Sequence, residues 1–280
     1  MNKLLLILAI LLVAGCTSNN DTGSQSNQGI IIESLVLSPS DVVDQEPFDL
    51  FFKVANVGGK TKIVTAYIYG PEWVEETDLD KHELIAPNKQ TGSIGESFVF
   101  EKTFGPIDVS KGLTEEYTVN GRICYPYETV ASTDVEIISL AEKRITDVKQ
   151  ATRTVKTQNS DAPIHIEFTI KEPLVVYDET TEKIPIAVKV RDVGGGFATK
   201  EESCSKNPDI LSMDRISVNL EGAGITCDEK EVHITNKQAT LFCTMDAATG
   251  GLPSKTVKII ATASYRYYKT KQATVRISGT

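Results

Sequence analysis

Histidine is scarce in this chain: His82, His165 and His233 are the 3 among 280 residues. It is the side chain that titrates near neutrality and the commonest metal ligand, so the shortage leaves little room for general acid–base or zinc chemistry. No Ser nucleophile elbow, His-Glu-x-x-His, P-loop or Rossmann glycine pattern is present. His165 alternates with Ile164 and Ile166, which points it outward as a surface histidine. A basic excess is lacking too: 29 Lys and Arg against 38 Asp and Glu give a formal charge of −9, the reverse of a nucleic-acid binder. The 5 cysteines are too few for a disulfide-dense scaffold. Long amphipathic helical patterns are nearly absent, and the best of them, Leu140 to Thr152, reads equally as a strand end running into a linker. No enzyme is expected from this inventory.

What is present begins with Met1-Asn2-Lys3 and an apolar run from Leu4 to Val13, too short for the ~20 residues a spanning helix takes. One charge, an apolar stretch and the small residues Ala14-Gly15 before Cys16 fit a secretory signal. The pattern resembles the lipobox of prokaryotic lipoproteins. That resemblance implies a signal peptide over 1–15, cleavage before Cys16, and a diacylglycerol on the Cys16 thiol. The expected place is then the outer side of a cell membrane, with the bilayer as first partner. After Cys16, residues 17–29 are Ser, Asn, Thr, Gln and Gly with one Asp, so 16–29 buries too little to fold and reads as a flexible tether.

From residue 30 the texture changes to short alternating runs. Phe48, Leu50, Phe52 and Val54 alternate with Asp49, Phe51 and Lys53. Tyr117, Val119, Gly121, Ile123 and Tyr125 do so with Thr118, Asn120, Arg122 and Cys124. Val257, Ile259, Ala261, Ala263, Tyr265 and Tyr267 repeat the pattern. Period two with β-branched and aromatic residues marks half-buried strands, and Gly, Pro, Asn and Asp clusters between them mark turns. The fold class is therefore all-β.

The chain also repeats itself. Val54-Ala55-Asn56-Val57-Gly58-Gly59 returns as Val190-Arg191-Asp192-Val193-Gly194-Gly195, and Tyr125-Pro126-Tyr127 as Tyr265-Arg266-Tyr267. Order and spacing are nearly kept, as in a tandem duplication. One β-sandwich is expected over 30–140 and a second over 162–280, each close to the ~100 residues of an immunoglobulin domain. Residues 141–161 fall between them as a linker. Five bases there, Lys143, Arg144, Lys149, Arg153 and Lys156, against Glu142, Asp147 and Asp161 make it locally positive.

The Val-x-(Asn/Asp)-Val-Gly-Gly stretch resembles the CARDB and related immunoglobulin-like modules of archaeal and bacterial surface proteins, where such a sequence ends a strand and starts a turn. The resemblance implies two tandem immunoglobulin-like sandwiches used for spacing, adhesion or ligand presentation. It also makes the Tyr-x-Tyr segments the penultimate strands.

Four cysteines remain after Cys16. An exported chain meets oxidising surroundings, so bridges are expected. Cys227 and Cys243 flank a hairpin-like stretch and are candidates for one; Cys204 competes for either partner. Cys124 has outward parity and reads as an interdomain or intermolecular half-bridge or as a free thiol. The acidic loop after Gly70-Pro71 supplies the binding candidates Trp73, Glu75 and Glu76, since a large amphipathic aromatic on a loop is a favoured contact residue. Asp78, Asp80 and Glu83 in the same loop form a weak candidate for calcium, without the glycine and full ligand set of an EF-hand; no other cofactor is expected.

The sequence thus reads as a lipid-anchored surface protein whose two sandwiches bind or space, with an envelope protein or a glycan as partner and no nucleic acid. The rivals are a solute-binding lipoprotein of a transporter, which requires two α/β lobes, an envelope hydrolase, and an accessory subunit of an envelope complex.

Overall fold

The computed structural model describes residues 28–74, 77–88, 90–146, 153–177, 182–222 and 224–280. The expected signal peptide, Cys16, the tether up to residue 27, and Glu75 and Glu76 lie outside the described residues. The chain is all-β, with 63% strand and 4% helix, so the α/β lobes of the transporter reading are not this fold.

The first copy runs β1 (Ile30–Ser38), β2 (Asp41–Val43), β3 (Phe48–Asn56), β4 (Lys62–Tyr69), β5 (Thr77–Leu84), β6 (Ser97–Phe104) and β7 (Thr114–Ser139). Helix α1 (Leu140–Thr146) and the short strands β8 (Arg153–Thr154) and β9 (Gln158–Asn159) follow. The second copy begins with β10 (Ile164–Thr169), β11 (Lys171–Glu172), β12 (Leu174–Val176), β13 (Glu182–Asp192) and β14 (Phe197–Thr199). It ends with β15 (Arg215–Glu221), β16 (Thr226–Cys227), β17 (Glu231–His233), β18 (Gln238–Ala247) and β19 (Ser254–Ser278).

The alternation in the sequence is what buries these strands. Phe48, Leu50, Phe52 and Val54 point into the core from β3, while Asp49, Phe51 and Lys53 face outward. Two small sheets result, β1-β3-β6 in the first copy and β10-β13-β18-β16 in the second. Both stack on one large sheet of order β17-β15-β19-β7-β4-β5. Two sheets stacked face to face are the sandwich arrangement.

The large sheet corrects the expected domain boundaries. β7 and β19 are 26 and 25 residues long and pair antiparallel from Ser254↔Ile138 to Ser278↔Thr114. The ladder is centred on Arg266↔Pro126, which places a pseudo-two-fold axis between the copies. The N-terminal half of each long strand pairs within its own copy: β7 with β4 at residues 120–124, and β19 with β15 at 260–264. The C-terminal half crosses over. β7 there pairs with β12 and β9, and the Thr129 hydroxyl donates to the Ile164 carbonyl at 2.9 Å. β19 in turn pairs with β2, and the Lys271 ammonium donates to the Glu33 carbonyl at 2.8 Å. Each sandwich is therefore completed by a strand of the other copy, and one hydrophobic core runs through both. The Tyr-x-Tyr segments are the middles of these crossing strands rather than penultimate strands.

The expected linker is largely part of the fold. β8 pairs with β11, β9 pairs with β7, and Val155 is buried. Asn159 lines the edge of β10, its side-chain amide exchanging two hydrogen bonds with the backbone of Ile166 at 2.8 and 2.9 Å. An edge whose N–H and C=O groups are met this way is protected from pairing with other chains.

Candidate functional site

The repeated motifs converge on the seam between the copies. Tyr125 and Tyr127 of β7 face Tyr267 and Tyr265 of β19 across the axis, with ring centroids 5.9 and 6.4 Å apart. The Asn/Asp-Val-Gly turns close over them. The Asn56 carboxamide oxygen accepts from the Gly58 N–H at 3.0 Å, and the Asp192 carboxylate from the Gly194 N–H at 2.9 Å. Glycine is required there by close approach: a Cβ on Gly58 would lie 2.8 Å from the Tyr127 hydroxyl, and one on Gly194 2.4 Å from that of Tyr267. Tyr267 donates to the Asp192 carboxylate, and Tyr127 donates to the Asp161 carbonyl at 2.6 Å.

Burial disfavours the phenolate, so the seam tyrosines titrate high. Desolvation pushes the Tyr127 phenol up to about 12 and holds those of Tyr125, Tyr265 and Tyr267 well above their ordinary value. They serve as neutral hydrogen-bonding groups. Lys269 continues their parity on β19 and is only 7% exposed. Desolvation lowers its ammonium to about 8, against the opposing pull of Asp192. The parity that buries it continues that of Tyr265 and Tyr267, but the alternation read from the sequence stops at Tyr267.

The second feature is an insertion. Counterpart residues are spaced 136 apart at Asn56 and Asp192, but 152 apart at Thr65 and Ser217, which hold equivalent places opposite Cys124 and Ser264. The strand equivalent to β4 is thus interrupted between β14 and β15 by 152 − 136 = 16 residues. This segment reaches over the outer face of the large sheet into the first copy. There Cys204 is bridged to Cys124, with Cα atoms 5.7 Å apart. Cys124 is fully buried in a small second cluster with Tyr67 and Tyr268, against which Phe197 and Cys204 pack. Phe197 stacks on Tyr268 at 5.0 Å, and Arg122 lies 4.6 Å over the Tyr69 ring while donating to the Lys206 carbonyl. Cys124 does have outward parity on β7, and the insertion is what covers it.

At the tip of the insertion Asp209 caps a single 3-10 turn, its carboxylate accepting from the Leu211 N–H at 3.0 Å. Glu201 braces the base, accepting from the Asp209 N–H at 2.7 Å and the Ser212 hydroxyl at 3.2 Å. The turn presents Ile210 and Leu211, 80% and 76% exposed. The Asn207-Pro208-Asp209 sequence signals such a turn, but nothing in it shows that the following aliphatic pair stays outside.

Cys227 and Cys243 form the second bridge, directly opposite one another on β16 and β18. Trp73 is a correction. It is half-buried against Phe48, Phe104 and Tyr117 at 5.7, 5.4 and 5.6 Å, edge to face with each. It closes the end of the first sandwich because an indole fills more apolar volume than the charged neighbours imply. The supposed acidic loop is in part strand β5, and that corrects the calcium site. Asp78 and Asp80 flank a bulge opposite Tyr67 and Ala66, while Glu83 pairs further along with Ile63, so the three do not converge. Among the described residues no group of three His, Cys, Asp or Glu is placed to hold a metal ion. Histidines have structural surroundings: His82 stacks on Phe98 at 3.7 Å and meets Glu96 at 3.2 Å, and His165 is half-buried on β10.

No family model and no curated protein matches the chain. Among solved structures, Escherichia coli alpha-2-macroglobulin activated by porcine elastase aligns with a TM-score of 0.16 and 10% identity. The alignment covers 89% of this chain and 32% of that one, so the chain spans about a third of its length. A likeness of that size carries no argument about fold or function.

Proposed function

We propose that the chain is a lipid-anchored protein of the cell envelope, held at Cys16, and that its work is contact rather than catalysis. The observation that carries the reading is the pair of disulfides, Cys124–Cys204 and Cys227–Cys243. Bridges in an all-β chain belong to an oxidising compartment, and the leader-like residues 4–16 direct the chain to one. Two acyl chains on one cysteine hold a protein firmly where one does not. The contact surface under this reading is the tip of the insertion. Its two bare aliphatics sit on a loop cross-braced by Glu201 and the Cys204 bridge, so little ordering entropy is lost on engagement.

The test of anchoring is metabolic labelling with a fatty acid. The chain takes up label and partitions into detergent, and Cys16→Ser abolishes both. Label retained by Cys16→Ser, or none in the unaltered chain, overturns the anchor. The contact surface is tested by crosslinking in native envelopes: Ile210→Asp with Leu211→Asp removes crosslinked species while the melting temperature is held.

A further inference from the structure

β7 and β19 meet as two identical elements meet in a two-fold dimer. Their contacts are isologous about Arg266↔Pro126: Tyr125 opposes Tyr267 as Tyr127 opposes Tyr265. Each copy also lacks something on its own. The first sandwich takes its closing strand, paired to β2, from the end of β19, and the second takes the strand paired to β12 from the end of β7. This is reciprocal strand exchange carried out inside one chain.

We propose that the exchange also occurs between two copies of this chain, and that the Cys124–Cys204 bridge confines it to one. In a dimer made this way, residues 28–140 of one chain seat against residues 162–280 of a second, and the remaining halves do the same. Every pairing along the seam is retained, because β19 presents the same edge to β7 whichever chain supplies it. What favours the single-chain form is the high effective concentration set by the short connection between the halves. Rising protein concentration opposes that preference, as in other domain swaps.

The bridge sits where such a lock is needed. Cys124 lies on β7 and Cys204 in the second half, 80 residues on. Cys227 and Cys243 both lie in the second half and hold nothing across the seam. The duplication underlines the point, since the counterpart of Cys124 is Ser264 and the segment that delivers Cys204 is an insertion in one copy. Once the bridge closes within one chain, the halves can no longer part. If it closes between chains, the exchanged dimer is fixed instead.

The test uses the full chain in two isotopic forms, one light and one uniformly heavy. Both are reduced, unfolded together, refolded over a hundredfold range of concentration, then oxidised. The bridged peptides holding Cys124 and Cys204 are read by mass spectrometry. Mixed light–heavy pairs that rise with concentration, together with a dimer by light scattering, support the proposal. Light–light and heavy–heavy pairs alone at every concentration overturn it. A second arm mixes Cys124→Ser with Cys204→Ser, both in a Cys16→Ser background. Exchange gives a covalent heterodimer joined through the remaining Cys124 and Cys204, whereas chains that keep their halves to themselves give none. If those variants do not refold, the isotopic arm alone decides.

Discussion

Tyr125 and Tyr265 perform one task in two places: each hydroxyl accepts the backbone N–H of the first residue of a sandwich, Ile30 at 3.2 Å and Ile164 at 3.3 Å. Both first strands are thereby pinned to the long strand that crosses the seam. The Tyr265 hydroxyl also meets Thr129 at 2.8 Å, and Thr129 comes from the other long strand, so the pin in the second sandwich is itself tied across the axis.

Removing either hydroxyl leaves a buried N–H without its partner. Such an orphaned group costs about 1–3 kcal/mol. Tyr125→Phe and Tyr265→Phe are each expected to lower stability by that amount, with Tyr265→Phe the larger because the tie to Thr129 across the axis is lost as well. Urea unfolding with unchanged slope is the measurement. A loss below a few tenths of a kcal/mol in both variants would mean that the pins are ornamental.

Strand exchange makes the halves interdependent. Expressed separately, residues 28–140 lack the strand that pairs with β2, and residues 153–280 lack the one that pairs with β12. Neither is expected to melt cooperatively as a monomer. Expressed together, they are expected to co-purify one to one and recover a single transition. Two independent monomeric transitions from the separate halves would restore the boundary drawn from the repeats.

Much of this fold was legible because strand periodicity and the repeated motifs are local. Phe48 to Val54 and the Tyr-x-Tyr segments gave the strands and the duplication. The Asn/Asp-Val-Gly-Gly stretch gave the turns. What was not legible is partnership at distance. A strand that ends its own sandwich and one that crosses into the next have the same alternation, so residues 126–139 carried no sign of their destination. Trp73 was misplaced for a related reason: its neighbours in sequence are acidic, but Phe48, Phe104 and Tyr117, which surround it, are remote along the chain. The Cys124–Cys204 pairing is not legible because nothing in a spacing of 80 residues distinguishes that pair from the others.

The buried titratable groups of the seam fix a pH profile with two limbs. Lys269 titrates near 8 in the fold against 10.5 ordinarily, so between those values the unfolded chain binds more protons and stability rises with pH. Half-buried Lys62, lowered in the same direction by desolvation, adds to the rise. The seam tyrosines are raised above 10, so beyond pH 10 the unfolded chain loses protons first and stability falls. The melting temperature is expected to climb from pH 8 toward 10 and drop steeply above it. Lys269→Met is expected to flatten the first limb, worth on the order of 1–3 kcal/mol, and to leave the second. A rising limb unchanged in Lys269→Met would show that the group stays charged in the fold.

Trp73 supplies the sharpest reversal of expectation. Its ring meets three aromatic rings edge to face within 5.7 Å, and Phe48 and Phe104 among them are buried. Truncation of a large aromatic in a core costs about 3–5 kcal/mol, from lost transfer energy and the cavity left behind. Trp73 is half-buried and its indole N–H, though shielded, has no hydrogen-bond partner among the described residues, so the cost falls at or just below the lower end of that range. Trp73→Ala is therefore expected to destabilise by about 2–3 kcal/mol. Trp73→Phe, which keeps an edge for its neighbours and removes the unmet N–H, is expected to recover more than half of that loss. Neither substitution touches the Ile210–Leu211 tip, so crosslinking in native envelopes is expected to persist below the melting temperature. Intrinsic fluorescence during urea unfolding measures the unaltered chain, and circular dichroism the two variants, since no other tryptophan exists to report on them. A Trp73→Ala chain that unfolds at the same urea concentration but loses its crosslinks would return the ring to the contact role its sequence neighbours first gave it.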